Sequence, residues 1–352
     1  MQDGSRPADL TAAARNLLVD CAGLGAGDPL VVCVEAAEHG WYDDAVADAV
    51  AQAAADMGMS VRQCVAGPPE ADQPAEVEAL LASDSNIVFF ARVGDQGRFD
   101  GHVGGRRVMV YARNAADLGS AFGQVPHTAM QGFKAAVNRV LFGAAEIRIT
   151  CPNGTDITGH PPRGTELEEA TDVTTRRFPL GVPAPVPADG FRGQVALTGS
   201  LTPTGNRHYD PASLALDGTV MAQLDGGRIT GFDGTADQVA RICAHYAHVA
   251  NLFGLEPFAV HSWHAGIHPG APFFDPAGQD PDYWSNNVFC SPRLLHFHTC
   301  GTSAPGEIAW NLIDASVHVD GEPLWLDGRM RPQAFAPLAE CLAREPELAA
   351  LF

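Results

Sequence analysis

Lysine is almost absent from this chain of 352 residues: Lys134 is the single one, and it sits inside a helical pattern. A Schiff-base mechanism would have to use that residue, so this chemistry is set aside. Cations are scarce altogether, 22 against 42 acidic side chains, for a net charge of −20. Nucleic acid is thereby excluded as a partner, because phosphate binding needs clustered cations. No apolar run reaches the roughly 20 residues that span a bilayer. The first residues, Met1-Gln-Asp-Gly-Ser, have neither the basic region nor the apolar core of a signal peptide, which points to a cytoplasmic protein with no membrane partner. Paired cysteine spacing is missing too. The cysteines at 21, 33, 64, 151, 243, 290, 300 and 341 contain no C-x-x-C, and Cys21, Cys33, Cys243 and Cys341 lie among apolar neighbours as reduced core residues. Cys290 and Cys300 fall in the histidine-rich half, where packing and pocket lining both stay open.

What is present describes an ordinary globular enzyme, 46% hydrophobic and 18% charged, and long enough for two domains. Over residues 1–145 helix and strand signals alternate. Helical stretches run from about Ala8 to Cys21, Tyr42 to Met57, Glu76 to Ala82 and Met130 to Phe142; the apolar runs Leu30–Val34, Ser60–Cys64, Ile87–Phe90 and Val108–Tyr111 read as strands. This rhythm predicts an α/β domain with a mostly parallel sheet. Gly23-x-Gly25-x-Gly27 precedes its strand instead of following it, so its amides are not placed to cradle a pyrophosphate.

From residue 146 to 352 the pattern becomes α+β, dominated by antiparallel sheet. Asp225-Gly226-Gly227 joins two strands as a hairpin, Thr235 to Phe253 is one long helix, and Phe178 to Phe191, rich in proline, reads as a loop. Pro332 to Phe352 closes the chain as a helix. Ten of the thirteen histidines follow residue 150, which assigns the chemistry to this second domain.

Two segments carry that chemistry. In Val317-His318-Val319-Asp320 alternate side chains of a strand share a face, so His318 and Asp320 lie together, opposite the two valines. A His near an Asp at a sheet end also forms a simple hydrogen-bonded pair. The second segment, His261-Ser-Trp-His264-Ala-Gly-Ile-His268-Pro-Gly, gathers three imidazoles at the end of a strand, where one of them can complete a metal site. Two imidazoles and one carboxylate on one side of an ion leave the other side open, the donor set of mononuclear ferrous enzymes that bind substrate and dioxygen.

Several segments together resemble the thermophilic-type leucyl aminopeptidase superfamily of metallopeptidases: Gly154–Thr158, Phe178-Pro-Leu-Gly181, Asp225–Phe232, His264-Ala-Gly-Ile-His-Pro269 and Ser316–Asp320. In the aminopeptidases a glutamate follows the first Pro-x-Gly and a second opens the segment like His264-Ala-Gly-Ile. Here Val182 and His264 stand in those places, which removes the carboxylates that bridge two ions. The resemblance thus narrows to the branch of 2,5-dihydroxypyridine 5,6-dioxygenases. It implies one Fe(II) on His264, His318 and Asp320, a small hydroxypyridine and O2 as partners in an extradiol-type ring cleavage to N-formylmaleamate, and self-association into a homo-oligomer.

Around that metal, His296 and His298 share a strand face and are the expected acid/base residues. Arg293 is the expected catalytic and substrate clamp, with a salt bridge as its other reading. Thr302, Ser303 and His268 are expected substrate contacts, His268 also standing as the replacement ligand. His160 and His102 are loop residues that can reach the pocket. A mononuclear metal-dependent hydrolase of aminopeptidase type is the alternative that the same ligands would serve.

Overall fold

The run Leu30-Val-Val-Cys-Val34 lacks polar alternation because it crosses a sheet covered on both faces. In the computed structural model, which describes residues 10–95, 104–162, 174–203 and 209–352, it belongs to the strand Pro29–Glu35, buried from 30 to 33. Five strands pair in parallel, in the order Ser60–Ala66, Pro29–Glu35, Ile87–Phe90, Arg107–Val110, Thr175–Phe178. The helices Asp44–Asp56 and Ala75–Leu81 occupy connections between them, the first capped by Asp43, whose carboxylate accepts from the Val46 amide at 2.8 Å. Beyond the carboxyl ends of the strands, Arg92 forks onto buried Glu35, its Nε donating to Oε1 at 3.0 Å, and reaches Glu70 with Nη1, also at 3.0 Å. The α/β character of the first part of the chain is as expected.

The chain divides into two compact units, Met1–Gln131 with Glu168–Leu180, and Gly132–Leu167 with Gly181–Phe352. The division thus falls earlier than residue 145, and for a packing reason. Late in the helix His127–Phe142, Phe133 lies against Phe352 with ring centroids 5.1 Å apart and Asn138 accepts from the Ala184 amide at 2.9 Å. The strand Thr175–Phe178, too short to stand out in the sequence, returns the chain to the first sheet.

The second unit is α+β. Its larger sheet is antiparallel, with strand order Arg228–Asp233, Val220–Asp225, Arg192–Leu197, Asp156–Gly159, Ile147–Thr150, Ser316–Val319, Glu322–Leu326, Arg329–Met330. The hairpin at Asp225–Arg228 forms as the Gly-Gly pair requires, with Gly226 and Gly227 both at positive φ, 56° and 74°. A smaller antiparallel sheet runs Glu307–Ile313, Leu294–Cys300, Val260–Ala265, Val186–Pro187. Its last strand comes from the segment read as a loop: prolines suit an edge, where few ladder bonds are asked of them. The helix Ala236–Phe253 starts at Thr235, whose hydroxyl accepts from the Gln238 amide. The C-terminal helix is shorter than expected, Ala336–Arg344, then Pro346–Ala349, because proline pushes the preceding Glu345 out of helical backbone. No helix among the described residues is long and apolar enough to cross a membrane.

Two buried imidazoles make this stability depend on pH. Burial holds His127 in the first unit and His245 in the second down to about 4, against an ordinary 6.5. Between these values the unfolded chain takes up protons that the folded one refuses. Unfolding free energy is therefore expected to fall as pH drops from about 6.5 to 4, by on the order of 2 kcal/mol for each ring. Urea titrations across this range check it, and His245→Phe is expected to flatten its share.

Candidate metal centre

Three imidazoles meet on one face of the smaller sheet because of its register. Val260–Ala265 and Leu294–Cys300 run antiparallel with His264 directly opposite His296 and Ser262 opposite His298. Directly opposed residues carry their Cβ atoms about 5 Å apart, and residues two apart on one strand share a face. His264, His296 and His298 are all buried, and one ligand atom from each lies within 4.8 Å of the others. The ring of His264 is 4.0 Å from that of His296 and 4.9 Å from that of His298, centroid to centroid.

The other face of these strands is apolar and braced. Trp263, Phe297, Thr299 and Trp310 alternate away from the imidazoles. There Trp310 Nε1 donates to the Tyr246 hydroxyl at 2.7 Å, Tyr246 to Thr299 Oγ1 at 2.6 Å, and Thr299 to the Ile308 carbonyl at 2.7 Å. Each hydroxyl both accepts and donates, so the chain has one consistent direction. Burial pushes the Tyr246 phenol well above its ordinary value, which keeps it a donor.

Glu307 completes the imidazole face. It pairs with Cys300 across the next strand boundary, so its carboxylate lies diagonal to His298. An ionised carboxylate only accepts, so His298 donates from Nδ1 to Glu307 Oε1. The lone pair of His298 then sits on Nε2, a buried atom with no hydrogen-bond partner among the described residues. A histidine whose far nitrogen is held by a carboxylate is oriented and made more basic for a metal. The residues present thus fit one divalent ion, held by three neutral nitrogens. Tyr209 fixes this strand by donating to the Glu307 carbonyl at 2.6 Å.

Gly266 sets how closely the His264 strand approaches its neighbour. A Cβ built there would stand 2.1 Å from the Ser291 carbonyl oxygen, so any side chain forces the backbone apart. The indole of Trp325, in the larger sheet, donates to the Gly266 carbonyl at 3.1 Å.

The expected ligand set His264, His318 and Asp320 is not the one assembled. Strand alternation does put His318 opposite the buried Val317 and Val319. The face it shares is the outer one of the larger sheet, where His318 pairs with Arg148, which in turn grips Asp156 at 2.8 Å. Asp320 lies past the strand end at φ 51°, and its Oδ1 accepts from the amides of Ala145 at 2.9 Å and Glu146 at 2.8 Å. It is a backbone clasp at the entry to the strand Ile147–Thr150. His296 and His298, expected as acid and base, stand with His264 in the group of three that could hold an ion.

The remaining candidates separate. Arg293 forks both nitrogens onto Asp314 at 2.7 Å and stacks 4.0 Å over the Phe273 ring, so its salt-bridge reading holds and its fork is occupied. Thr302 is exposed and Ser303 partly so, in the turn after Cys300. His268 is fully buried outside the group of three, its Nδ1 accepting from the Gly270 amide at 3.1 Å. His261 donates to the Cys300 carbonyl, and His160 is exposed, turned to the Pro161 carbonyl. His102 lies outside the described residues. Sequence reasoning misses Glu307, whose one signal is a lone acid opening the apolar strand Glu307–Ile313.

No protein-family model and no curated protein matches the chain. Among solved structures, a 2,5-dihydroxypyridine dioxygenase from Pseudomonas putida KT2440 is similar over 93% of this chain and 98% of its own, at 16% identity and a TM-score of 0.58. Wild-type AmpT from Thermus thermophilus is similar over 91% of this chain and 98% of its own, at 11% identity and a TM-score of 0.48. At 16% identity the likeness to the dioxygenase is one of fold.

Two substitutions separate the assembled set from the expected one. His296→Ala is expected to abolish stoichiometric binding of a divalent metal, measured by elemental analysis after dialysis. Asp320→Ala is expected to keep the metal and to lose about 1 kcal/mol of stability with its amide bonds. Glu307→Gln is expected to weaken metal affinity about 10- to 100-fold, read by chelator competition.

Proposed function

We propose that the chain is a mononuclear ferrous dioxygenase that opens a hydroxylated nitrogen heterocycle of the dihydroxypyridine type with O2. One observation carries this reading: three buried imidazoles converge, one of them with a lone pair aimed by a carboxylate behind it. Imidazole suits iron, copper, nickel and zinc alike. The choice of iron draws on the dioxygenase whose fold this chain follows over nearly its whole length.

When bound, ferrous iron supplies an electron path between a closed-shell ring and triplet dioxygen. The chain supplies the rest. Three neutral donors leave the ion's positive charge uncompensated, which favours an anionic oxygen of a deprotonated ring hydroxyl over a neutral one. Glu307 keeps His298 in one tautomer and one orientation, so its lone pair is set before any ligand arrives. Burial of all three rings keeps bulk water from competing for the open side. Arg293 is held by Asp314, so substrate charge is met at the metal centre instead of at that guanidinium.

The same nitrogens favour a second reading, since three histidines with an open fourth position are also a catalytic zinc set. That reading is a mononuclear hydrolase, with metal-bound water as nucleophile.

An oxygen electrode decides between them. Protein loaded anaerobically with Fe(II) is expected to consume one O2 for each 2,5-dihydroxypyridine lost, and zinc-loaded protein or His296→Ala to consume none. Full zinc occupancy after anaerobic purification, with oxygen-independent peptide cleavage, would reject the dioxygenase.

A further inference from the structure

Cys33 and Cys64, far in sequence from the imidazole face, are brought together by the first sheet. The strands Pro29–Glu35 and Ser60–Ala66 run parallel with Cys33 directly paired to Cys64. Paired residues on adjacent strands have Cα atoms about 4.8 Å apart with side chains on one face, inside the roughly 4.4–6.8 Å range that a disulfide spans. Interaction between the two side chains raises the Cys33 thiol and lowers the Cys64 thiol. Burial, by contrast, is the leading cause of the raised thiols at Cys21, Cys300 and Cys341. Ser60–Ala66 is also the edge strand of its sheet, with Gln63 and Val65 exposed on either side of Cys64. An edge strand opens by local fraying more readily than a central one.

We propose that Cys33 and Cys64 form a redox dithiol that low-molecular-weight disulfides convert into a cross-strand bridge. The Cys64 sulfur attacks one sulfur of the oxidant R–S–S–R. A mixed disulfide forms, and the first R–S⁻ leaves and takes the proton that Cys64 has lost. Cys33 then attacks the Cys64 sulfur, the second R–S⁻ leaves with the Cys33 proton, and the intramolecular bond closes. Two electrons pass from the protein thiols to the oxidant, which ends as two R–SH. Cys64 attacks first because it is the thiol on the edge strand and the one whose proton is held less tightly. Cys33, in the neighbouring inner strand, resolves.

The test uses the full chain with oxidised glutathione under native conditions, followed by alkylation, proteolysis and peptide mass analysis. The expected product is a linked pair of peptides carrying residues 33 and 64, reversed by dithiothreitol. In Cys33→Ala the glutathione adduct on Cys64 is expected to persist, whereas in the unaltered protein it decays into the bridge. Alkylation of both thiols after prolonged oxidation, or a bridge seen only in denaturant, overturns the proposal. A stable adduct on Cys33 in Cys64→Ala, with none on Cys64 in Cys33→Ala, overturns the order of attack. Formation of the bridge is decided by the unaltered protein alone, so a variant that fails to fold does not affect that result.

Discussion

The imidazole face depends on the register of one antiparallel strand pair. His264 faces His296, and His298 stands one alternation along, only because Val260–Ala265 and Leu294–Cys300 are aligned at that step. A slip of Val260–Ala265 by one residue would turn Trp263 onto this face beside His296 and His298 and carry His264 among the apolar side chains behind. Everything that fixes the register therefore serves the site. The Trp310–Tyr246–Thr299 hydrogen-bond chain pins the back, Gly266 admits close backbone approach, and Tyr209 holds the strand that carries Glu307.

Much of the architecture was legible in the sequence because it depends on local periodicity. Both-sided apolar runs such as Leu30–Val34 mark buried parallel strands, and Gly226-Gly227 marks a hairpin whose backbone few other residues adopt. Thr175–Phe178 and Val186–Pro187 were not legible as strands, being short and shaped by their neighbours more than by their own composition. The unit division near residue 132 rests on contacts distant in sequence, such as Phe133 with Phe352.

The site shows where pattern stops and tertiary structure decides. His318-x-Asp320 and His296-x-His298 present the same alternation, and strand periodicity cannot tell an inner face from an outer one. Flanking residues carry part of the answer. Leu294-Leu-His-Phe-His-Thr-Cys300 is buried at every position, as suits a central strand covered on both sides, whereas His318 pairs with the exposed Arg148. A carboxylate among the ligands was the natural expectation for ferrous iron. Here the carboxylate of Glu307 lies behind the imidazoles, paired with His298 Nδ1, and is not part of the group of three that could hold an ion.

The Trp325 indole ties the two sheets of the second unit together at the Gly266 carbonyl, two residues from His264. Backbone at the end of the His264 strand is thereby anchored to a strand whose next neighbour is the edge strand Arg329–Met330. Loosening at that rim reaches the His264 strand through this indole N–H, beside the separate tie in which the Val260 amide donates to the Gly227 carbonyl at 2.8 Å. Heat or denaturant acting on the outlying sheet would accordingly disturb the alignment of the imidazole face along with the fold.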